Sequence, residues 1–329
     1  MMQAIRQVQF GAPDVLTLDE LPLVHPGIED VLIRVHAASI NHFDLLSRRG
    51  DFPNIPLPRI VGMDCSGYVE QYNGTRSDLA VGQPVVVLGT SLGNGGPGGY
   101  ATHVCINQEE VFPVPENMDL TAATCLGMTY LTAWYALVER AQIEAGKLLL
   151  LPGVGGGVAS AALQIARALD VRVLATTSSA AKRQQAIALG VEACFNYREQ
   201  DVIQAVQAWT TGKGVDLVLD AVGGDLIQQS LSCLTKRGRL LSIGIVKGNH
   251  FSVDAVAFLS NEQILMGVSA GQLSPGERYR IFLELVKLIQ IGKLEVLIDR
   301  TFPLAQAVDA HRFVESHEQF GKVVLLVNP

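Results

Sequence analysis

The sequence predicts an α/β protein with two domains, a mostly antiparallel β domain and a doubly wound parallel sheet inserted within it. Three observations carry this. Before residue 120, short alternating segments such as "DVLIRVHAAS" and "QPVVVLG" lie between Gly/Pro-rich turns, the texture of antiparallel strands. After it, short continuously apolar segments alternate with helical ones, as in a parallel sheet covered on both faces. Third, "KLLLLPGVGGGVASAALQIARAL", residues 147–169, runs a leucine strand into a glycine cluster and then into a helix.

The elements follow in order. Parallel strands are expected at 148–152, 171–176, 193–197, 215–220 and 239–244, with a further one at 264–268. Helices fall between them at 158–169, 180–189, 200–210 and 225–235. The tail carries a helix near 278–291, a strand near Val296, a helix at 305–316 and a last strand in "GKVVLLV". It is expected to fold back onto the N-terminal β domain. This assigns 1–122 and 270–329 to the β domain and 123–269 to the parallel sheet.

Composition narrows the function classes. The 329 residues are 48% hydrophobic and 17% charged, the profile of a packed globular enzyme. A net charge of −7 without a basic block argues against nucleic acid and acidic membrane surfaces as partners. No apolar run reaches the ~18–20 residues of a membrane span. The opening stretch lacks the charged-then-apolar layout of a secretory signal, so a cytoplasmic location is expected. The five cysteines (Cys65, Cys105, Cys125, Cys194 and Cys233) contain no C-x-x-C pair, which speaks against a disulfide framework and a cysteine metal cluster.

The glycine cluster marks the chemistry. Val158, Ala162, Ile165 and Leu169 recur on one helical face, so the glycines sit where a strand turns into a helix. Free N–H groups and the positive dipole end gather there, and glycine lets a pyrophosphate approach the backbone. Gly155, Gly156, Gly157 and Val158 are the candidate contacts, with small Ala159, Ser160, Ala161 and Ala162 letting the helix lie close to the sheet. A tight turn without a ligand is the other reading, and context rather than the glycines decides between them. The spacing is altered: Gly156 takes the second fingerprint position, but Val154 stands at the first and Ala159 at the third. Gly153 and Gly155 flank Val154 and can still make the turn.

An NAD site shows an acid about twenty residues downstream, on the ribose hydroxyls. Here "VLATTSSAAKRQ" carries none from Val171 to Gln185. Thr176, Thr177, Ser178 and Ser179 precede Lys182 and Arg183 instead. Hydroxyls plus a cation suit a 2′-phosphate, which favours NADPH over NADH. A solvated helix turn is the plainer account of the two cations.

With "ASINHFDLLSRRGDFPNIPLPRIVGMDCSGYV", "VGQPVVVLG", "GGYATHV", "AATCLGMTYLTAWYAL", the glycine turn, "LGVEACFNYREQD", "GVDLVLDAVGGD", "GRLLSIG" and "FGKVVLLV" in this order, the chain resembles a zinc-independent member of the medium-chain dehydrogenase/reductase superfamily, quinone oxidoreductase-like (the zeta-crystallin and enoyl reductase type). The resemblance covers essentially the whole chain. It implies a GroES-like catalytic domain from the two end segments, a Rossmann domain between them, and a nicotinamide in the cleft where they meet. It further implies that Lys182 and Tyr197 clasp the 2′-phosphate and that Thr132 and Asn41 lie near the nicotinamide. Val222, Gly244 and Ile245 complete the implied cofactor set, and a homodimer is the implied assembly.

Zinc enzymes of that superfamily carry a Cys where Asn41 stands and His-Glu where Met63-Asp64 stands, and often a cysteine-rich lobe where this chain has Cys105 alone. A catalytic zinc needs about three protein ligands, so no metal is expected. Without that Lewis acid the chemistry moves to acceptors that take hydride readily, a quinone or an α,β-unsaturated carbonyl. His42, in "SINHFD", is the leading proton donor, because imidazole titrates near neutral pH. A structural place in its turn is an equal reading of His42. Asp44 can orient it or Asn41, though a purely structural role suits Asp44 better. Tyr130 is a further candidate, though packing suits it better. Cys125 lacks a base partner, the loop 93–100 can edge a cleft, and His103, His250, His311 and His317 show no ligand spacing. The expected function is NADPH-dependent reduction of a quinone or enone. A specialised enoyl reductase or cyclase of a biosynthetic pathway and a non-catalytic NADPH-binding protein are the alternatives.

Overall fold

In the computed structural model, which describes residues 1–88, 91–93 and 95–328, the chain opens with β1 (Met2–Gln7), β2 (Leu16–Leu21) and β3 (Asp30–Ile40). Helix α1 (His42–Arg49) and the short β4 (Arg59–Ile60) follow, then β5 (Ser66–Tyr72), β6 (Pro84–Val87), β7 (His103–Asn107) and β8 (Val111–Pro113). β1 pairs antiparallel with β2 and β4 in a small sheet of their own. β3 is the spine of a larger one: β5 and β7 pair with it, β6 with β5, and β8 with β6, all antiparallel. Val31, Ile33, Val35 and Ile40 on β3 pack with Val69, Val85, Val104 and Ile106 in one core, so apolar positions recur along every strand. Helix α1 begins at a capping box, with Asn41 N–H donating to Asp44 Oδ2 at 2.8 Å, and stops at Gly50, where φ is 98°. Of the proposed loop 93–100, Asn94 lies outside the described residues.

After α2 (Leu120–Cys125), widened π-type turns at Leu126–Tyr130 and Tyr135–Arg140 flank α3 (Leu131–Trp134). The chain then alternates: β9 (Leu148–Leu151), α4 (Gly157–Ala168), β10 (Arg172–Thr177), α5 (Ala180–Ala188), β11 (Ala193–Asn196), α6 (Val202–Trp209), β12 (Val215–Asp220), α7 (Leu226–Ser232), β13 (Leu234–Ser242), α8 (Ala255–Ser260) and β14 (Ile264–Gly267). The strands are parallel, in the order β11-β10-β9-β12-β13-β14. This is the Rossmann order, and β9 has all its residues buried because helices cover both faces. From β9 the chain turns one way to β10 and the other way to β12, which opens a crevice at the carboxyl ends of the strands.

A helix–strand boundary in the parallel sheet differs from the sequence reading. The helix expected to run to residue 235 ends at Ser232, and the strand expected from 239 begins at Leu234. Val215 N–H donates to Cys233 O and Val215 pairs with Leu234, so the sheet captures this stretch. A bulge with Arg237 at φ 63° then restores the register.

The tail supplies α9 (Pro275–Gln290), β15 (Ile298–Pro303), α10 (Ala307–Glu315) and β16 (Lys322–Leu326). β16 pairs antiparallel with β3, from Val323 opposite Ile40 to Leu326 opposite Ala37, and β15 joins β16 in parallel. The strand expected near Val296 therefore starts at Ile298; Leu297 N–H is diverted to the hydroxyl of Tyr130. Two units result. One holds Met1–Leu131, Gly271–Lys287 and Val296–Pro329, the other Thr132–Ala270 and Leu288–Glu295. Among the described residues, no helix is long and apolar enough to cross a membrane.

Candidate cofactor and catalytic sites

In the parallel-sheet unit the glycine turn is built around the misfit at Val154. Gly153 has φ 68° and Gly155 φ 111°, the left-handed region a side chain would resist, while Gly156 caps α4 in an extended conformation. Val154 between them points into the core, 2% exposed, and its N–H donates to Thr176 O at 2.9 Å. Gly153 N–H donates to Thr176 Oγ1 at 3.1 Å, which stitches the turn to the end of β10. Among the described residues no side chain caps α4, which leaves the N–H groups of its first turn to an anion. Ala159 and Ser160 are buried, consistent with close packing of this helix.

The end of β10 brings the other cofactor candidates together. Thr176 is spent on Gly153, Ser178 is half-buried, and Ser179 caps α5 by accepting from Lys182 N at 3.4 Å. Lys182 therefore stands on the first turn of α5. Tyr197 follows β11, is 44% exposed, and its N–H donates to Thr177 O at 3.1 Å, fixing it beside the same strand end. Sequence reasoning missed one neighbour: the ammonium of Lys247 lies 5.9 Å from the centre of the Tyr197 ring. A lone lysine in a polar loop carries no pattern that would have marked it. Val222 closes on the turn, its Cγ2 only 3.3 Å from where a Cβ on Gly153 would sit. Gly244 packs so closely on Ala221 that a Cβ would lie 2.0 Å from its carbonyl oxygen, and Ile245 beside it is 41% exposed. Thr132 is half-buried on α3.

In the antiparallel unit two of the catalytic candidates, Asn41 and Asp44, lie on a buried polar network. Asn41 Nδ2 donates to Asp64 Oδ2 at 2.8 Å, and Ser39 Oγ donates to the same oxygen at 2.7 Å. Lys322 Nζ donates to Asn41 Oδ1, Thr129 Oγ1 and Ile40 O at 2.6, 2.9 and 2.9 Å. Burial pushes the Asp64 carboxyl up, against the pull of the Lys322 charge. Asp44 accepts from Asn41 N and from Tyr100 Oη at 3.2 Å, and burial raises its pKa to about 7. It orients the turn at Asn41 rather than reaching His42.

Burial dominates at the other two catalytic candidates, His42 and Tyr130. Burial, reinforced by Arg49, lowers the pKa of His42 to about 4, which favours its neutral imidazole form. Its Nε2 is out of contact with solvent and has no hydrogen-bond partner among the described residues. Tyr130 is fully buried and its hydroxyl accepts from Leu297 N–H at 3.0 Å, the position of a structural post. Cys125 is buried with its thiol pushed up to about 12, as inert as its lack of a base suggested.

The residues standing where zinc ligands would be do not fit the metal. Asn41 Oδ1 already faces a lysine ammonium, Asp64 Oδ2 already takes two donors, and burial holds the Cys65 thiol protonated.

The comparisons with known proteins agree with this architecture. The profile of the alcohol dehydrogenase GroES-like domain matches residues 27–116, and that of the zinc-binding dehydrogenase matches residues 189–325. A quinone oxidoreductase of Rattus norvegicus is 30% identical over 331 residues, covering 99% of this chain and 98% of its own. The chain belongs to the quinone oxidoreductase-like medium-chain dehydrogenases/reductases. Within that family, the Escherichia coli quinone oxidoreductase solved in complex with NADPH superposes with a TM-score of 0.91 at 27% identity, covering 98% of this chain and 99% of its own. A phenolphthiocerol/phthiocerol polyketide synthase protein of Mycobacterium tuberculosis is 30% identical over 323 residues, 97% of this chain, which spans only 14% of that protein's length.

Proposed function

We propose that this protein is a zinc-independent, NADPH-dependent oxidoreductase that delivers hydride to a quinone or an α,β-unsaturated carbonyl compound. The observation that carries the cofactor choice is the end of β10. Thr176, Thr177, Ser178 and Ser179 lead into Lys182 with Tyr197 alongside, and no carboxylate stands there to take ribose hydroxyls. The cofactor of the solved Escherichia coli relative is the same one.

Bound NADPH supplies the hydride; the protein supplies grip, orientation and a dry surrounding. The free N–H groups of α4 meet the pyrophosphate, with Gly153 and Gly155 giving the backbone room, while Lys182 and Tyr197 take the 2′-phosphate. Thr132, Val222, Gly244 and Ile245 make up the rest of the proposed cofactor contacts. Asn41 is the proposed polar contact in the antiparallel unit, held in one orientation by Lys322 and Asp64. With His42 neutral, the proton that completes reduction of an enone comes from solvent. The mismatch of Asn41 and Asp64 with a zinc ion supports direct hydride transfer to an acceptor that needs no Lewis acid.

The match to a polyketide synthase protein favours one narrower reading, reduction of an enone on a thioester-linked acyl chain. NADPH consumption, followed with a panel of quinones, simple enones and enoyl thioesters, tests both. Turnover with quinones or simple enones supports the first, turnover confined to enoyl thioesters the second, and none with any acceptor despite tight binding overturns both. A cytoplasmic homodimer completes the proposal, its assembly tested by sedimentation.

A further inference from the structure

Lys247 belongs to a loop that is fixed at its base. Its N–H donates to Val222 O at 2.9 Å, and a Cβ on Gly224 would lie 2.6 Å from the Lys247 carbonyl oxygen, so the two loops stack backbone to backbone. Gly223 and Gly224, at φ 74° and 62°, make that approach possible. Asp220 Oδ1 holds the underlying loop by accepting from Val222 N and Gly223 N, both at 2.7 Å. The loop thus rides on the β12 and β13 side of the sheet.

The side chain leaves that side. It ends over Tyr197, which follows β11, and β10 and β9 lie between β11 and β12. At about 4.8 Å between neighbouring strands, roughly 14 Å of carboxyl edge separates β12 from β11, so Lys247 and Tyr197 meet by reaching towards each other from the two sides. Their contact therefore lies above the ends of β9 and β10, over the crevice that the glycine turn and the start of α5 border. Among the described residues Lys247 is exposed and pairs with no carboxylate, so its charge is uncompensated where an anion would lie.

We propose that Lys247 is a specificity-determining residue for the cofactor: a second cation that closes over the adenosine end and, with Lys182 and Tyr197, binds its 2′-phosphate. This rests on the NADPH reading above. Tyr197 is the shared post, its ring carrying the lysine chain and its strand end setting the phosphate beside Ser178. A hydroxyl in place of the phosphate offers the ammonium little, so Lys247 acts on discrimination between NADPH and NADH.

The test uses the intact protein and two small probes that differ only in that phosphate, 2′,5′-ADP and 5′-AMP, with calorimetric dissociation constants as the readout. Lys247→Ala is expected to weaken 2′,5′-ADP about tenfold, leave 5′-AMP unchanged, and flatten the salt dependence of 2′,5′-ADP binding, with Lys247→Arg close to wild type. A Lys247→Ala protein that binds 2′,5′-ADP within about twofold of wild type overturns the inference while the NADPH reading stands. Equal weakening of both probes overturns it too, by assigning Lys247 to the 5′-phosphate. Wild-type protein that does not prefer 2′,5′-ADP to 5′-AMP overturns the NADPH reading itself, and the inference with it.

Discussion

The ammonium of Lys322 donates to the amide oxygen of Asn41 at 2.6 Å. The two residues lie far apart in the chain and meet because β16 pairs with β3 in a register that sets Lys322 beside the residue after Ile40. Asp64 completes the arrangement through Asn41 Nδ2. Removing the cation leaves a buried carboxyl group without it, so Lys322→Met is expected to cost about 3–5 kcal/mol in urea unfolding. Combined with Asp64→Asn, the loss should be smaller than the sum of the two single losses. Strict additivity would show that the two residues do not share one network.

Lys182→Ala should weaken NADPH about ten- to a hundredfold and NADH hardly at all, because only NADPH carries the phosphate. Nicotinamide fluorescence titrations measure both. Equal loss would assign Lys182 to a part the two cofactors share.

Val154→Gly brings the turn to the usual fingerprint spacing, yet it should not improve binding. Gly153 and Gly155 already make the turn, and Val154 is core. The expected result is unchanged NADPH affinity with stability lower by about 1.5–3 kcal/mol. Tighter binding would mean that the valine obstructs the cofactor.

Acid should loosen the antiparallel unit through its buried histidines. Burial, with Arg48 close by, lowers His311 to about 3, and His42 is lowered to about 4, whereas unfolded histidine titrates at 6.5. The unfolded chain therefore takes up protons first, and each histidine costs at most about 1.4 kcal/mol per pH unit as pH falls through that window. Asp44 works in the opposite sense, since its raised pKa of about 7 favours the folded state as pH drops from about 7 towards 4. Urea midpoints against pH isolate one term: His311→Gln should show a shallower acid loss than wild type. An unchanged slope would mean that His311 is not held neutral.

Tyr130→Phe removes the acceptor of Leu297 N–H and should cost about 1–3 kcal/mol of stability. Turnover per folded molecule should be unchanged. A large fall in turnover at unchanged stability would return Tyr130 to the chemistry.

Much of this was legible in the sequence because it is periodic or compositional. The continuous apolar run at Leu148–Leu151 states its sheet type directly, whereas Asp30–Ile40 alternates only around Arg34 and His36 and is otherwise buried on both faces. The turn at Gly153–Gly155 was readable because only glycine relieves those backbone angles. What stayed hidden depends on tertiary encounters. His42 reads as a titrating imidazole until burial removes its charge, and Lys322 reads as the start of a strand until β3 places it on Asn41. Lys247 acquires meaning only from its contact with Tyr197, which follows a strand separated from β12 by two others in the sheet order.

The pairing of β16 with β3 also governs the order in which this protein folds. The parallel-sheet unit draws almost all of its residues from one uninterrupted stretch, Thr132–Ala270, so it can begin to fold while synthesis continues. The antiparallel unit cannot finish until Lys322–Leu326 has emerged and docked on a strand made nearly a full chain length earlier. Until that moment β3 has an open edge and Asp64 lacks its cation. The N-terminal segment must therefore wait, with its edge exposed to other chains, until its partner strand has been made.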